Sequence, residues 1–514
     1  MDDTTPVRAG GPLSHWLATA HRPQYPRLDR DLDVDTVVIG GGIAGLATAR
    51  ELAVAGRETV LIEADRILSG TTGHTTGKLT ALHGLQYERL RRSVGPDGAG
   101  LYAAAQQDAL ERAVALGADP ATAPGCERLP ALTYVRDPER VGEIRAEVTA
   151  ARAAGLDARV VTETGLPFAV AAAVYLPDQL QIHPVAFLTG LAEAVTAAGG
   201  RIFEQTRATA VEEHARIRIE TSAGPVVHAA EAVLACHYPL VGPVSLLARL
   251  SPRRELVIAA PVPENTDPHG MYLTPEDRVR SVRTAPYAPG QRLLIVAGES
   301  FRPGENGSVD RWARLESWAR ESFPGFGTAG GVQRWAAQDV DSADHLPFVG
   351  HLHPGTQHLY VATGFGGWGL TGGIMAGRLL TAHIRGGPRP AWTELFDPRR
   401  MPPARELPSL LTGQAAVAGH YLGDRRHLAG REAAEALEPG EGAVIRVHGH
   451  PCAVHRDTEG TLRAVAARCT HMGCLVAFNQ AEQTWECPCH GSRFAPDGTV
   501  LDGPAATPLA PREL

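Results

Sequence analysis

Apolar and polar positions change period along this chain, and the changes mark out its elements. Thr36-Val37-Val38-Ile39 is apolar and β-branched, the pattern of a strand buried on both faces. From Ala44 to Val54 the apolar positions recur at helical spacing, and Thr59 to Ile62 is again strand-like and ends on Glu63. Helical spacing returns over Asp97–Ala118 and Gly142–Gly155, with a strand over Ala131–Asp137 between them. Leu180–Glu212 holds a helix that ends at a glycine pair and a strand from Arg201. A hairpin follows, with strands near Arg216–Glu220 and Gly224–His228, then a short buried strand in Glu231–Pro239. From Pro252 the chain reads as strands of a mixed or antiparallel sheet between Pro/Gly turns, with a helix at Asp310–Phe323. Gln357–Ile384 is once more strand, glycine turn and helix, and from Glu438 the pattern is strand and turn.

The first three elements form a βαβ unit. Gly40, Gly42 and Gly45 stand in G-x-G-x-x-G register between strand and helix. Gly40 permits the tight turn, Gly42 lets the backbone approach a pyrophosphate, and Gly45 allows close helix–strand packing. Ile43 and Ala44 open the helix whose positive end faces the phosphates. Glu63, followed by Ala64, falls where a carboxylate meets the ribose hydroxyls of a dinucleotide. A βαβ turn without ligand would leave that terminal carboxylate unexplained.

Composition narrows the partners. At 514 residues the chain is expected to hold two or three domains. A net charge of −8 offers no basic footprint for nucleic acid. No apolar run is long enough to span a bilayer, and the polar N-terminus has no signal pattern, so a cytoplasmic protein is expected. Lys78 is the single lysine of a chain otherwise basic through arginine. It is expected where an ammonium serves and a guanidinium does not; a chance lysine on a loop is the plain alternative. Cys126, Cys236 and Cys452 are scattered and read as small buried hydrophobes.

The other four cysteines are bunched. CTHMGC (Cys469 to Cys474) precedes ECPCHGSRF (Glu486 to Phe494). Each box brings C-x-H or C-x-x-H and one further cysteine. Two thiolates and two imidazoles suit tetrahedral zinc or a Rieske [2Fe–2S] centre, with Cys469 and Cys487 on one metal and His471 and His490 on the other in the second case.

Both boxes resemble those of the Rieske domains of quinol-oxidising complexes, over about the last hundred residues. The resemblance implies a disulfide between Cys474 and Cys489, and Gly503 to Ala505 is similar to the family's proline loop. High-potential members place a Tyr two residues after the Ser; here Ser492 is kept and Phe494 replaces the Tyr. Fewer hydrogen bonds to sulfur imply a potential below the top of the range of about −150 to +300 mV.

The glycine unit resembles the FAD domain of the D-amino-acid oxidase group, which includes glycine and sarcosine oxidases. SGTTGHTT (Ser69 to Thr76), DSADHLPFVG (Asp341 to Gly350) and VATGFGGWGLTGG (Val361 to Gly373) extend that resemblance. It implies FAD contacts from Thr71, Thr72, His74, Thr75, Thr76 and Lys78, from the backbone of Val211, and from Gly364, Phe365, Gly367, Trp368 and Thr371. His74 falls where dimethylglycine and sarcosine dehydrogenases attach FAD covalently; a hydrogen bond to the flavin is the alternative. Lys78 is expected near the flavin, stabilising its reduced anionic form. A substrate carboxylate is expected on Arg254 or Arg283, and His345 is the candidate general base.

The expected fold is an α/β FAD-binding domain, Rossmann-like and of glutathione-reductase type, with a mixed or antiparallel-sheet substrate domain and an all-β Rieske domain. The expected organisation is a lead-in over 1–33, the oxidoreductase over 34–385, a connector over 386–437 and the Rieske domain over 438–514. FAD-binding parts fall near 34–90, 180–250 and 340–385, and substrate-domain parts near 91–179 and 251–339. No second G-x-G-x-x-G follows a strand, so no nicotinamide domain is expected. The leading expectation is a dehydrogenase oxidising a C–N (or C–O) bond of a small amine or amino acid, with single electrons leaving through the cluster to an external acceptor. Two alternatives stay open: reduction of a substrate by electrons from an external donor through the cluster, and a redox-sensing or electron-carrying module without a small substrate.

Overall fold

The computed structural model describes residues 13–400 and 429–514, apart from the single residues 124, 277, 306, 329 and 431. The first strand, Leu32–Ile39, lies centrally in a parallel sheet. Thr59–Ile62 and then Arg201–Phe203 pair on one side, and Val226–Leu234 and Leu359–Thr363 on the other. Phe348–His351 closes that edge antiparallel. The helices Ile43–Val54 and Gly369–Arg385 pack on one another over this sheet, close enough that a Cβ on Gly377 would stand 2.9 Å from the Ala47 carbonyl carbon. Glycine at that position lets two helix backbones approach.

The hairpin and the short strand expected after Glu212 are joined differently. Ile217–Thr221 pairs antiparallel with Val226–Leu234, which is one unbroken strand and not two. The polar Glu231 interrupts the apolar pattern, while the backbone continues its ladder.

A second sheet carries nine strands. Its order is Gln333–Ser342, Leu250–Pro263, Gln291–Phe301, Arg280–Ala288, Met271–Thr274, Glu127–Val135, Ala172–Gln181 and Lys78–Leu79, with Arg159–Val161 added beside Ala172–Gln181. All pairings are antiparallel except Met271–Thr274 with Glu127–Val135. Helix Ser308–Ser322 covers one face through Trp312, Leu315 and Ala319. Two small antiparallel sheets, Gly442–Ala466 and Ala477–Asp502, form the C-terminal unit, with its own core around Trp485, Phe494 and Leu509.

The N-terminal lead-in is more than polar chain. Ser14 caps a short helix, His15–Thr19, and its hydroxyl also donates to the Gly73 carbonyl. Trp16 is fully buried and donates from its indole to the Thr75 carbonyl at 2.7 Å. The segment thus fastens the loop Ser69–Thr76 from outside. The connector begins as packed chain: Arg400 pairs with Asp344 at 2.7 Å. Most of the expected connector, 401–428, lies outside the described residues.

Candidate functional site

A cavity opens at the carboxyl ends of the parallel strands, where ligands of such sheets bind. The glycine turn forms its floor. At Gly40, with φ +114°, a Cβ would stand 2.4 Å from the Ala235 carbonyl oxygen, and a Cβ on Gly45 would stand 1.9 Å from that of Gly40. Both positions exclude any side chain. Gly42, Ile43 and Ala44 open the helix on this cavity, and Glu63 and Ala64 line it from the end of the second strand. The Glu63 carboxylate accepts from the Gly41 N–H at 2.7 Å and the Asp65 N–H at 2.9 Å, which fixes its direction. Thr71, Thr72 and Thr75 face the cavity from the loop, and the Thr72 hydroxyl accepts from the Ile43 N–H at 3.2 Å. Phe365 and Gly367 line it from the second glycine turn.

Several expected contacts fall elsewhere. Val211 is buried in the sheet core, and the cavity is lined instead by Thr206, Arg207 and Ala208 at the start of that strand region. The Thr371 hydroxyl is spent on the Thr80 backbone, accepting from its N–H at 3.2 Å and donating to its carbonyl at 3.0 Å. Trp368 stacks on His83 with ring centres 4.2 Å apart. With Gly364 and His345 it lines a separate small polar cavity behind the turn. His345, pulled down in pKa by burial, therefore faces away from the glycine-turn cavity. Thr76 lines neither cavity. His74 donates from Nδ1 to the Gly70 carbonyl at 2.8 Å and lines a neighbouring cleft.

The three basic candidates each bond to protein groups. Lys78 donates to the Tyr272 carbonyl at 2.5 Å and the Ser281 hydroxyl at 2.7 Å, tying the edge strand Lys78–Leu79 to the sheet. Burial, and Arg283 second, push its ammonium down to about 7. It does not line the glycine-turn cavity. Arg283 donates to the carbonyls of Gly77 at 2.7 Å and Ile182 at 3.2 Å and lies 5.3 Å over the Trp16 ring, so it braces the loop from below. Arg254, only 1% exposed, reaches out of the sheet into the C-terminal unit. Its Nη2 lies 2.5 Å from both carboxylate oxygens of Glu482, and Nε lies 3.5 Å from Glu486. The neighbouring Arg253 and Glu255 point the other way, as strand alternation requires.

The two Cys/His boxes form a matched pair of loops. The Gly473 N–H bonds the Cys469 carbonyl and the Gly491 N–H the Cys487 carbonyl, each at 2.9 Å. Cys474 and Cys489 are joined by a disulfide. The sulfurs of Cys474, Cys487 and Cys489 lie within 4.8 Å of one another, and since the disulfide consumes two of them, Cys487 and Cys469 are the thiols left to bind metal. A hydrogen bond between those two thiols holds Cys469 down to about 7 and pushes Cys487 up. The rings of His471 and His490 stand 4.9 Å apart, and both buried Nδ1 atoms lack a partner. Burial keeps both imidazoles neutral, the ligating form. Two orphaned nitrogens and two free thiols on facing loops fit a Cys₂His₂ cluster. Ser492 bonds the Cys469 sulfur, and Phe494 packs fully buried in the same core. Phe494→Tyr is expected to raise the midpoint potential in a potentiometric EPR titration; an unchanged potential would contradict the assigned role of the missing hydroxyl.

The two sites share a wall. Tyr238 lines the glycine-turn cavity, and its ring lies 5.4 Å from His490 and 6.4 Å from His471. Its hydroxyl donates to the Leu247 carbonyl at 3.0 Å, which holds the ring in place. Pro504 and Ala505 of the proline loop close the cavity from the other side. Gln338 donates to the Gly491 carbonyl at 2.8 Å, and Glu486 accepts from the Gly304 N–H at 2.9 Å. Tyr238 and Gln338 escaped the sequence reading, and the proline loop was expected there without its place on the wall of this cavity. Only the position of Tyr238, just past the end of a parallel strand, was a usable signal.

Residues 35–383 match the family described as FAD dependent oxidoreductase, and residues 431–512 match the Rieske [2Fe-2S] domain. The chain is 31% identical over 506 residues to the Bacillus subtilis protein YhfW, whose name refers to a Rieske 2Fe-2S iron-sulfur centre, with 98% of each chain covered. It is 23% identical to gamma-glutamylputrescine oxidoreductase of Escherichia coli, covering 73% of this chain and 89% of that one. The crystal structure of glycine oxidase from Geobacillus kaustophilus shares the fold at a TM-score of 0.57 and 21% identity, covering 72% of this chain and 99% of that one. With the glycine cradle and the orphaned ligand set in place, the chain belongs to the FAD dependent oxidoreductase family and carries a C-terminal Rieske [2Fe-2S] domain.

Proposed function

We propose that this chain is a dehydrogenase that oxidises the C–N bond of a small amine or amino acid, with hydride passing to FAD and electrons leaving singly through the Rieske cluster to an external acceptor. When bound, FAD supplies a hydride acceptor and the cluster a one-electron carrier. The observation that carries the reading is the wall at Tyr238, which borders the FAD cavity on one face and the two ligand imidazoles on the other. Glu63 and the glycine turn would hold the dinucleotide, with Thr71, Thr72 and Thr75 lining the cavity from the loop and Tyr238 and Pro504 from the side of the Rieske unit. The substrate class is supported by the relatives, named for oxidation of an amine derivative and of glycine.

The test is anaerobic mixing of the holoenzyme with a panel of amines and amino acids. At least one is expected to bleach the flavin absorption. If none does, and only a reduced one-electron donor protein bleaches it, electron flow runs from the cluster to FAD and the proposal fails.

A further inference from the structure

Oxidation of a C–N bond needs a proton acceptor as well as a hydride acceptor. A small amine with a pKa of about 10 is an ammonium ion near neutral pH, and its proton must leave before the adjacent carbon gives up hydride. His345 faces away from the glycine-turn cavity. Among the described residues, three carboxylates line that cavity. Glu63 is fixed at the ribose end by the Gly41 N–H. Asp502 belongs to the Rieske unit and pairs with Arg493 at 2.8 Å. The third, Asp339, stands at the second glycine turn, where Oδ2 accepts from the Gly367 N–H at 2.6 Å. Ribose on Glu63 and pyrophosphate on the first glycine turn leave the wall at Gly367 and Asp339 for the flavin.

Asp339 keeps capacity for a proton. Oδ1 accepts from the Val340 N–H at 2.7 Å, and each carboxylate oxygen has a second lone pair. Arg253 lies opposite it in register on the neighbouring strand, but that guanidinium is engaged elsewhere. Its Nε lies 3.0 Å from Asp341 and its Nη1 3.6 Å from Glu255. Burial therefore pushes the Asp339 carboxyl above its ordinary value, against the pull of His237 and Arg253. A carboxylate raised in this way is the stronger base.

The small polar cavity behind the turn, of about 110 Å³, offers the way out. Phe365 is a wall of both cavities. Asp341 lines the small one, two residues on from Asp339 and on the same face of the strand. Two further lining residues carry buried polar atoms without a partner: Oε1 of Gln106, 1% exposed, and Oγ of Ser342, 3% exposed. Such atoms hold buried water, and the volume takes several molecules at about 30 Å³ each. Arg89 and His345 line the same cavity and are exposed to solvent.

We infer that Asp339 is the proton acceptor of the oxidation and that the cavity lined by Asp341, Gln106 and Ser342 carries the proton to solvent. The N–H bond of the ammonium breaks and an O–H bond forms on Asp339. The nitrogen lone pair then becomes the second bond of C=N as the adjacent C–H leaves with its electron pair as hydride to FAD. One proton per flavin passes along that face of the strand and out beside His345. The base role rests on the amine-oxidation reading; the place of Asp339 beside the flavin does not.

The experiment uses the full-length holoenzyme and Asp339→Asn, which keeps an acceptor for the Gly367 N–H and cannot take the proton. Without substrate, the flavin absorption bands are expected to shift on acidification in the parent and not in Asp339→Asn. No shift in the parent, or the same shift in both, overturns the place of Asp339. With an amine that bleaches the flavin, Asp339→Asn is expected to be bleached about 100-fold more slowly at pH 7. It should regain about tenfold per pH unit as free amine replaces the ammonium ion. Equal rates at pH 7, a loss that is the same at every pH, or a matching pH-dependent loss in His237→Gln overturns the base role. Gln106→Leu/Ser342→Ala makes the small cavity apolar and dry. Proton release, followed with an indicator dye in weak buffer, is expected to keep pace with bleaching in the parent and to lag behind it in this variant. Simultaneous release in the variant overturns the exit path. If no amine bleaches the flavin, the oxidation reading fails and the base role with it, while the acid shift still decides where Asp339 lies.

Discussion

Arg254→Met is expected to loosen the Rieske unit from the FAD unit by about 3 kcal/mol, the cost of removing one partner from a buried ion pair. Arg254 and Glu486 are each 1% exposed in their side chains and Glu482 is 6% exposed, so water cannot replace the lost guanidinium. Arg493 still pairs with Glu482 at 2.7 Å and with Asp502 at 2.8 Å, which keeps the cost at the low end. The outcome to look for is faster proteolytic separation of the two units together with slower transfer from reduced flavin to the cluster. Flavin absorption and cluster EPR should stay as in the parent. The double variant Arg254→Met/Glu482→Gln should lose less than the sum of the single variants, since the pair is coupled. Additive losses would show that the contact holds nothing.

Gly45→Ala should remove FAD. The added Cβ would stand 1.9 Å from the Gly40 carbonyl oxygen and 3.1 Å from its carbon, against backbone that closes the turn. Relieving the clash moves the helix start off the strand, and overpacking of this kind costs about 1–3 kcal/mol or more. At 1.4 kcal/mol per factor of ten, FAD affinity falls about tenfold or further. The purified variant should carry little flavin while retaining its cluster, because Trp485, Phe494 and Leu509 give the Rieske unit a core of its own. Full flavin content would contradict the assigned floor of the cavity.

What the sequence made legible is what it writes locally. The glycine turn and Glu63 lie within one βαβ unit, so their spacing carries the geometry with it. The Cys/His loops are equally local: a ligand pair within three or four residues forms one half of a cluster site by itself. Contacts between distant segments were not legible. Alternation along Leu250–Pro263 puts Arg254 on the face of Leu256 and Ile258, opposite Arg253 and Glu255. Nothing in the strand says that the Rieske unit docks at the end of that face. Trp16 is a single large apolar residue in a polar segment, too little pattern to show that it fastens the loop over the dinucleotide. Lys78 stands out in the sequence as the single lysine, but nothing local shows that its ammonium bonds the Tyr272 carbonyl and the Ser281 hydroxyl of the sheet. Val211 and Ala208 lie three residues apart on one strand, and only the position of the strand's start separates them.

On the proposed reading, the shared wall at Tyr238 makes FAD and the cluster one electron path, filled from the substrate side. Rapid anaerobic mixing with an amine that bleaches the flavin, followed by freeze-quenching and EPR, tests it most directly. The reduced Rieske signal is expected to grow in as the flavin is bleached, without any added electron donor, and Tyr238→Ala is expected to delay the signal relative to the bleaching. A fully bleached flavin beside a cluster that stays oxidised, in a protein with both groups bound, would contradict it.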